Sequence, residues 1–128
     1  VASYFSFYAD RFLGLANIKL QIESAPEVAG LVVAARVRHQ LFLVFKEALT
    51  NVVHHSGATE VKVQLRQRDG WLGITVADNG RGLSAGPAGN GQDGLANMRT
   101  RMSRLGGRFE ILSEPRQGTT LNFSTPLD

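Results

Sequence analysis

The apolar positions of this chain separate into helical and alternating runs by period alone. Phe5, Tyr8, Phe12 and Leu15 recur at helical spacing, which predicts a helix over Tyr4 to Leu15 with Gly14 near its end. Ile18, Leu20 and Ile22 then alternate as in a short strand, and Pro26 and Gly30 mark a loop. Val37, Leu41, Val44, Phe45, Ala48 and Val52 return to helical spacing. They predict a long helix from about Ala35 to His55, stopped by Ser56-Gly57. Val61, Val63 and Leu65 alternate with polar residues, Asp69-Gly70 makes a turn, and Leu72, Ile74 and Val76 alternate back: a β-hairpin.

From Asn79 to Gly94 the chain holds six glycines and one proline and reads as irregular. Leu95, Met98, Met102 and Leu105 then line one face of a second amphipathic helix, closed by Gly106-Gly107. Strands over Arg108 to Leu112 and Thr119 to Ser124 complete the chain. No internal repeat and no domain boundary is visible, so residues 1–128 read as one domain. Helices interleaved with a hairpin-rich sheet predict an α/β (α+β) fold, a two-layer sandwich of a mixed, largely antiparallel sheet against helices.

Composition narrows the chemistry. With 43% hydrophobic and 20% charged residues the chain is ordinary for a globular domain. It has no cysteine, which excludes a disulfide scaffold, a thiolate metal site and a Cys nucleophile. The longest apolar stretch, Gly30 to Ala35, is far too short to span a bilayer, and no signal peptide opens the chain. The chain starts at Val1, not Met, and is read as a piece of a longer protein. Its net charge of +3 allows an anionic ligand or nucleic acid and proves neither.

Four placements need a reason. Asp78 continues the inward phase of Leu72, Ile74 and Val76, which aims a carboxylate at the core side of the sheet, where burial without a partner is costly. It either caps a turn with Asn79-Gly80 or meets a ligand donor; Gly80 and Gly82 would let the backbone approach a flat ligand. Glu47, Asn51 and His55 stand at i, i+4 and i+8 on one helical stripe with His54 beside it. That stripe is either a solvated helix edge or a metal–phosphate site, since Mg2+ takes oxygen ligands and keeps several waters. Gly89-Asn90-Gly91-Gln92-Asp93-Gly94 precedes a helix, either as a flexible loop or as an anion cradle. No strand stands before Gly89, which argues against a dinucleotide fold. Finally, Thr119 shares the phase of Leu121 and Phe123; its inward hydroxyl is satisfied by a backbone carbonyl or helps satisfy Asp78 or a ligand.

In combination these pieces resemble the GHKL ATP-binding superfamily. Glu47-Ala48-Leu49-Thr50-Asn51-Val52-Val53-His54-His55-Ser56 looks like its N box, and Asp78-Asn79-Gly80-Arg81-Gly82 like its first glycine box. Gly94-Leu95 with the preceding loop resembles the second glycine box and ATP lid, and Gly118-Thr119 the final box. The finer similarity, through Gly94-Leu95-Ala96-Asn97-Met98-Arg99-Thr100-Arg101 and Leu105-Gly106-Gly107, is to sensor histidine kinases paired with helix-turn-helix response regulators. Three positions depart from the pattern. His54 stands where Lys is frequent, Gln92-Asp93 precede Gly94-Leu95 where the lid usually reads Gly-x-Gly-Leu, and Arg116 stands where a glycine is frequent in Ser113 to Gly118.

The resemblance implies that Asp78 accepts a hydrogen bond from the adenine amino group, that Gly80 and Gly82 make room for the base, and that Thr119 supports Asp78 through a water. It implies that Asn51 holds Mg2+ on the phosphates, that Glu47 orients a metal-bound water or acts as a base, and that His54 and His55 lie near phosphate. Gly91, Gly94 and Leu95 would enclose the triphosphate of ATP. The expected function is Mg-ATP binding and phosphoryl transfer to a histidine on a separate, upstream dimerisation and phosphoacceptor domain, feeding a response regulator. The piece itself is expected to be monomeric and unable to relay phosphate alone, within a homodimeric parent. The setting implied is the cytoplasmic side of a bacterial sensor that can be membrane-anchored. Two alternatives stand beside it. One is a stand-alone GHKL serine kinase of the anti-sigma type, which shares Glu47, Asn51 and His55. The other is a nucleic-acid-binding module suggested by Arg99, Arg101, Arg104 and Arg108, although no aromatic residue sits among those arginines to stack on bases.

Overall fold

A computed structural model describes residues 2–80, 92–114 and 117–127. In chain order the elements are α1 (Ala2–Leu15), β1 (Lys19–Ser24), α2 (Pro26–Ala29), α3 (Ala35–Asn51), a π-helical turn (Val52–Ser56), β2 (Glu60–Arg68), β3 (Trp71–Asp78), α4 (Gln92–Arg104), β4 (Arg108–Glu114) and β5 (Gly118–Pro126). The five strands form one mixed sheet in the order β1-β2-β3-β5-β4. Only β1 and β2 run parallel; the other three pairings are antiparallel.

Strand alternation builds the two layers. Val61, Val63 and Leu65 of β2, Leu72, Ile74 and Val76 of β3, and Leu121 and Phe123 of β5 are buried on one face. Between them stand Lys62, Gln64, Arg66, Thr75 and Asn122 on the other, where the Thr75 hydroxyl donates to Asn122 Oδ1 at 2.6 Å. The helices cover the apolar face. Phe5, Ala9 and Leu13 of α1, Leu41, Val44, Phe45, Ala48 and Leu49 of α3, and Met98 and Met102 of α4 join the strands in one core. Phe5 stacks on Phe45 with centroids 4.9 Å apart, and Tyr4 and Tyr8 flank Phe42, which fixes α1 against α3.

The Asp69-Gly70 turn has both residues at positive φ, 52° and 79°, the two-residue geometry whose twist matches a hairpin. It sets the β2–β3 register that ends on Val61 opposite Asp78, and β5 brings Thr119 opposite Asp78 on the other side. The end of the central strand is thus fixed from both flanks.

Three expectations are corrected. The loop expected at Pro26 contains a one-turn helix, with proline at a position whose missing N–H has no intrahelical partner to lose. The long helix is α-helical only to Asn51 and continues as a π turn. The irregular segment ends earlier than expected, because Gln92, Asp93 and Gly94 already form the first turn of α4.

Candidate functional site

Asp78 closes β3 in the inward phase set by Leu72, Ile74 and Val76, and it is half-buried. Burial pushes its carboxyl above the usual aspartate range, while main-chain N–H groups of Gly80 and Thr119 pull the other way by donating to the carboxylate. The Gly80 contact is 2.8 Å to Oδ1. Thr119 thus supports Asp78 at least through its main-chain N–H. Its hydroxyl lies 3.3 Å from Ser113 Oγ, across the β4–β5 pair. The result is a carboxylate aimed by backbone donors with accepting capacity to spare, which suits recognition of an amino group.

Two neighbours were not assigned a role from sequence. Gly118 has φ +90°, and a Cβ there would overlap the Asp78 carbonyl oxygen, so this strand start needs a glycine both for its backbone and for its close approach. Asn79 reaches across the sheet end to the chain before β2. Its Oδ1 accepts from the N–H groups of Thr59 (2.9 Å) and Glu60 (3.0 Å), and its Nδ2 donates to Thr59 Oγ1 at 3.0 Å. The sequence signal was an Asn inside Asp78-Asn79-Gly80, but its partners lie twenty residues away and no local pattern names them.

The second cluster is on α3 and α4. Glu47 is partly exposed, and Asn51 follows one turn later, 8% exposed, with its Nδ2 lacking a hydrogen-bond partner among the described residues. A buried amide left this way costs stability unless something at the site engages it. Gly94, in the first turn of α4, is buried against the Glu47 side chain: a Cβ there would overlap Glu47 Oε1 and stand 3.0 Å from Cδ. Glu47 thus sits against the N-terminal turn of α4, where the helix dipole favours a negative charge. A groove of about 230 Å³ opens beside it between α3 and α4, with Thr50, Asn97 and Arg101 among its walls.

The structure therefore brings Asp78 together with Gly80 and Thr119, and Glu47 together with Asn51 and Gly94. On the polar side of the sheet, the ends of β2 and β3 border a hollow of about 270 Å³ lined by Lys19, Gln21 and Lys62 together with Asp78 and Asn79. Leu95 is half-buried and packs against the core. His54 is exposed on the π turn. Gly82 and Gly91 lie outside the described residues, as does the His55 side chain.

Asn51 and Glu47 suit Mg2+, which takes few protein ligands and keeps waters and phosphate oxygens. Among the described residues no group of three or more His, Asp or Glu could hold a metal by itself. Three of the four arginines have structural partners. Arg99 lies over Phe109 at 5.2 Å, Arg108 over Trp71 at 4.9 Å, and Arg101 donates to Gln40 Oε1 at 2.9 Å. That leaves little of a nucleic-acid face.

A mixed sheet under three helices, with Glu47 and Asn51 on one helix and a backbone-held aspartate ending the central strand, defines the GHKL class of ATP-binding domain. The sequence pattern of the histidine kinase-, DNA gyrase B- and HSP90-like ATPase family matches residues 36–128, and the chain belongs to that family. It is 32% identical over 110 residues to the sensor protein VraS of Staphylococcus aureus (strain COL), covering 86% of this chain and 32% of that protein. It is 31% identical over the same length to VraS of Staphylococcus epidermidis, again covering 86% and 32%. The chain thus spans about a third of the length of these curated relatives. Its fold matches the histidine kinase domain of a blue-light activated histidine kinase from Erythrobacter litoralis (TM-score 0.77, 20% identity, 98% of this chain and 60% of that one). It also matches the Acinetobacter baumannii histidine kinase AdeS (TM-score 0.74, 13% identity, 99% and 63%). Among the described residues no helix is long and apolar enough to cross a membrane.

Proposed function

We propose that this chain binds Mg-ATP and donates the γ-phosphoryl group to a histidine on a separate dimerisation domain of a sensor histidine kinase, feeding a response regulator in a two-component phosphorelay. The observation that carries the reading is Asp78, a half-buried carboxylate held by the Gly80 and Thr119 N–H groups at the end of the central strand. Desolvation raises the value of a hydrogen bond to this group, and an adenine amino group supplies the donor it lacks. Names of relatives that read "sensor protein" favour this reading over a stand-alone serine kinase. The same proposal includes a homodimeric parent with its catalytic domain on the cytoplasmic side of a membrane-anchored sensor, and this chain as a monomer.

In this proposal Asp78 binds the adenine amino group and Gly80 lets the base approach. Asn51 holds Mg2+, which when bound neutralises phosphate charge, and Glu47 orients a metal-bound water or takes the proton of the attacking group. Gly94 and the start of α4, with Leu95 anchoring that turn to the core, enclose the triphosphate from one side. Gly82 and Gly91 are assigned to the base and triphosphate by the same motifs, and His54 and His55 to the phosphates. Positioning and charge neutralisation are what phosphoryl transfer requires of a protein.

The test is the melting temperature of the chain with Mg2+ and a non-hydrolysable ATP analogue, against the GTP analogue. At a hundredfold excess over Kd the ATP analogue stabilises by about 2.7 kcal/mol, and the GTP analogue shifts the transition far less. No shift at saturating ATP analogue removes the proposal.

A further inference from the structure

We infer that Asn79 is a positioning residue for adenine recognition: it clamps the end of β3 to the start of β2 and so holds the Asp78 carboxylate in register. This inference rests on the ATP-binding reading and adds a residue to its machinery. The regular ladder between β2 and β3 ends with Val61 opposite Asp78. Beyond it the backbone offers one long bond, Asn79 N–H to the Glu60 carbonyl at 3.3 Å. The Asn79 side chain adds three shorter ones, from Thr59 and Glu60 N–H to Oδ1 and from Nδ2 to Thr59 Oγ1, at 2.9, 3.0 and 3.0 Å. Pairing is thereby carried one residue past the point where the main chain stops supplying it.

Two consequences follow from where this clamp sits. Gly80, next in the chain, donates to Asp78 Oδ1 at 2.8 Å, so the turn that aims the carboxylate is anchored through Asn79. On the other side, Thr59 stands three residues after the π turn that follows Asn51, and its carbonyl accepts from Lys19 N–H of β1 at 2.9 Å. The clamp therefore joins the strand end bearing Asp78 to the exit of the helix bearing Asn51 and Glu47. Without it the turn is tied to the β2 side only by the 3.3 Å bond, and Gly80, one of the two N–H donors that aim the carboxylate, loses its anchor on that side.

The test is discrimination, which a merely structural role would not move. Affinities of the chain for Mg-ATP and Mg-ITP are measured by calorimetry; ITP carries an oxo group where ATP carries the amino group. Asn79→Ala is expected to weaken ATP by about tenfold, the scale of one or two lost hydrogen bonds, with ITP nearly unchanged, so that the ATP-to-ITP ratio collapses. Asn79→Asp, which keeps the acceptor for both N–H groups, is expected to restore most of the ratio. Should Asn79→Ala not fold, Thr59→Val removes the hydroxyl alone and is expected to lower the ratio about threefold. Equal weakening of both nucleotides, or an unchanged ratio in the variants, overturns the inference while leaving ATP binding intact. A parent chain that binds neither nucleotide overturns the ATP-binding reading itself, and the inference with it.

Discussion

Gly94→Ala separates the chemistry of this site from its stability. The glycine lies in the first turn of α4, buried, and an added Cβ would overlap Glu47 Oε1 with Cδ at 3.0 Å and Cγ at 3.3 Å. The obstruction is the far end of a flexible side chain, so Glu47 swings aside while the backbone stays. Alanine in a helix gains up to about 1 kcal/mol over glycine, and moving Glu47 out of its preferred rotamer costs about as much. The net change in folding stability is therefore near zero, and Tm should stay within about 4 °C of the parent. The same displacement removes Glu47 from the position where it would act as base, an effect worth about 100-fold or more in transfer rate. The assay follows γ-phosphoryl transfer from ATP to the histidine-bearing domain, with Kd for Mg-ATP measured alongside. The expected result is a normal Tm, Kd within about threefold and transfer reduced about 100-fold, the same loss as Glu47→Gln. The double variant should lose no more than either single one, because both act through one carboxylate. Full transfer activity in a folded Gly94→Ala chain refutes the coupling. A large fall in Tm refutes the claim that only a side chain has to move.

Three further outcomes follow from the same geometry. Asp78→Asn should weaken ATP selectively and change the pH profile of stability. Because the folded Asp78 pKa is raised, chiefly by desolvation, the folded state holds its proton more tightly. The parent's stability relative to the variant is then greatest at acid pH and is lost as pH rises from about 4 through the raised value, as melting across that range will register. Asn51→Ala removes a buried amide whose Nδ2 is unpartnered among the described residues, so apo stability should change by no more than about 1 kcal/mol; the Mg2+-dependent part of the ATP melting shift should vanish, and its survival would move the metal elsewhere. Gly118→Ala places a side chain at φ +90° and drives Cβ onto the Asp78 carbonyl, costing at least about 2 kcal/mol and lowering Tm by roughly 8 °C; a neutral effect in denaturation would show that this strand end relaxes freely.

Much of this fold was legible because its cues are local. The alternation of Val61, Val63 and Leu65 against Leu72, Ile74 and Val76, with Asp69-Gly70 between, specifies strand, turn, strand and inward face together. The same phase carried to Asp78 and Thr119, which the register places opposite each other. Other features have no local cue. The helix over Pro26–Ala29 is a single turn, too short to display a period, and its proline reads as a loop marker. The π turn after Asn51 follows an uninterrupted helical pattern, since Val52 and Val53 suit either winding. That β1 runs parallel beside β2 depends on a long crossover, not on the composition of either strand.

The start of α4 shows where glycine misleads. Six glycines between Asn79 and Gly94 suggest a loop throughout, yet Gly94 is helical and buried. Its reason for being glycine is the Glu47 carboxylate against its Cα, not conformational freedom. Gly118 repeats the logic at the other cluster, where its Cα stands against the Asp78 carbonyl, and Gly80 turns an N–H onto the Asp78 carboxylate. Both acidic groups of the site are thus aimed by close backbone, and close backbone demands the smallest residues. The glycine boxes and the two acids are therefore one device in two copies. Enlarging a glycine should act on the site as replacing its acid does, with stability affected only where the obstructing atom belongs to the main chain, as at Gly118, and spared where it belongs to a side chain, as at Gly94.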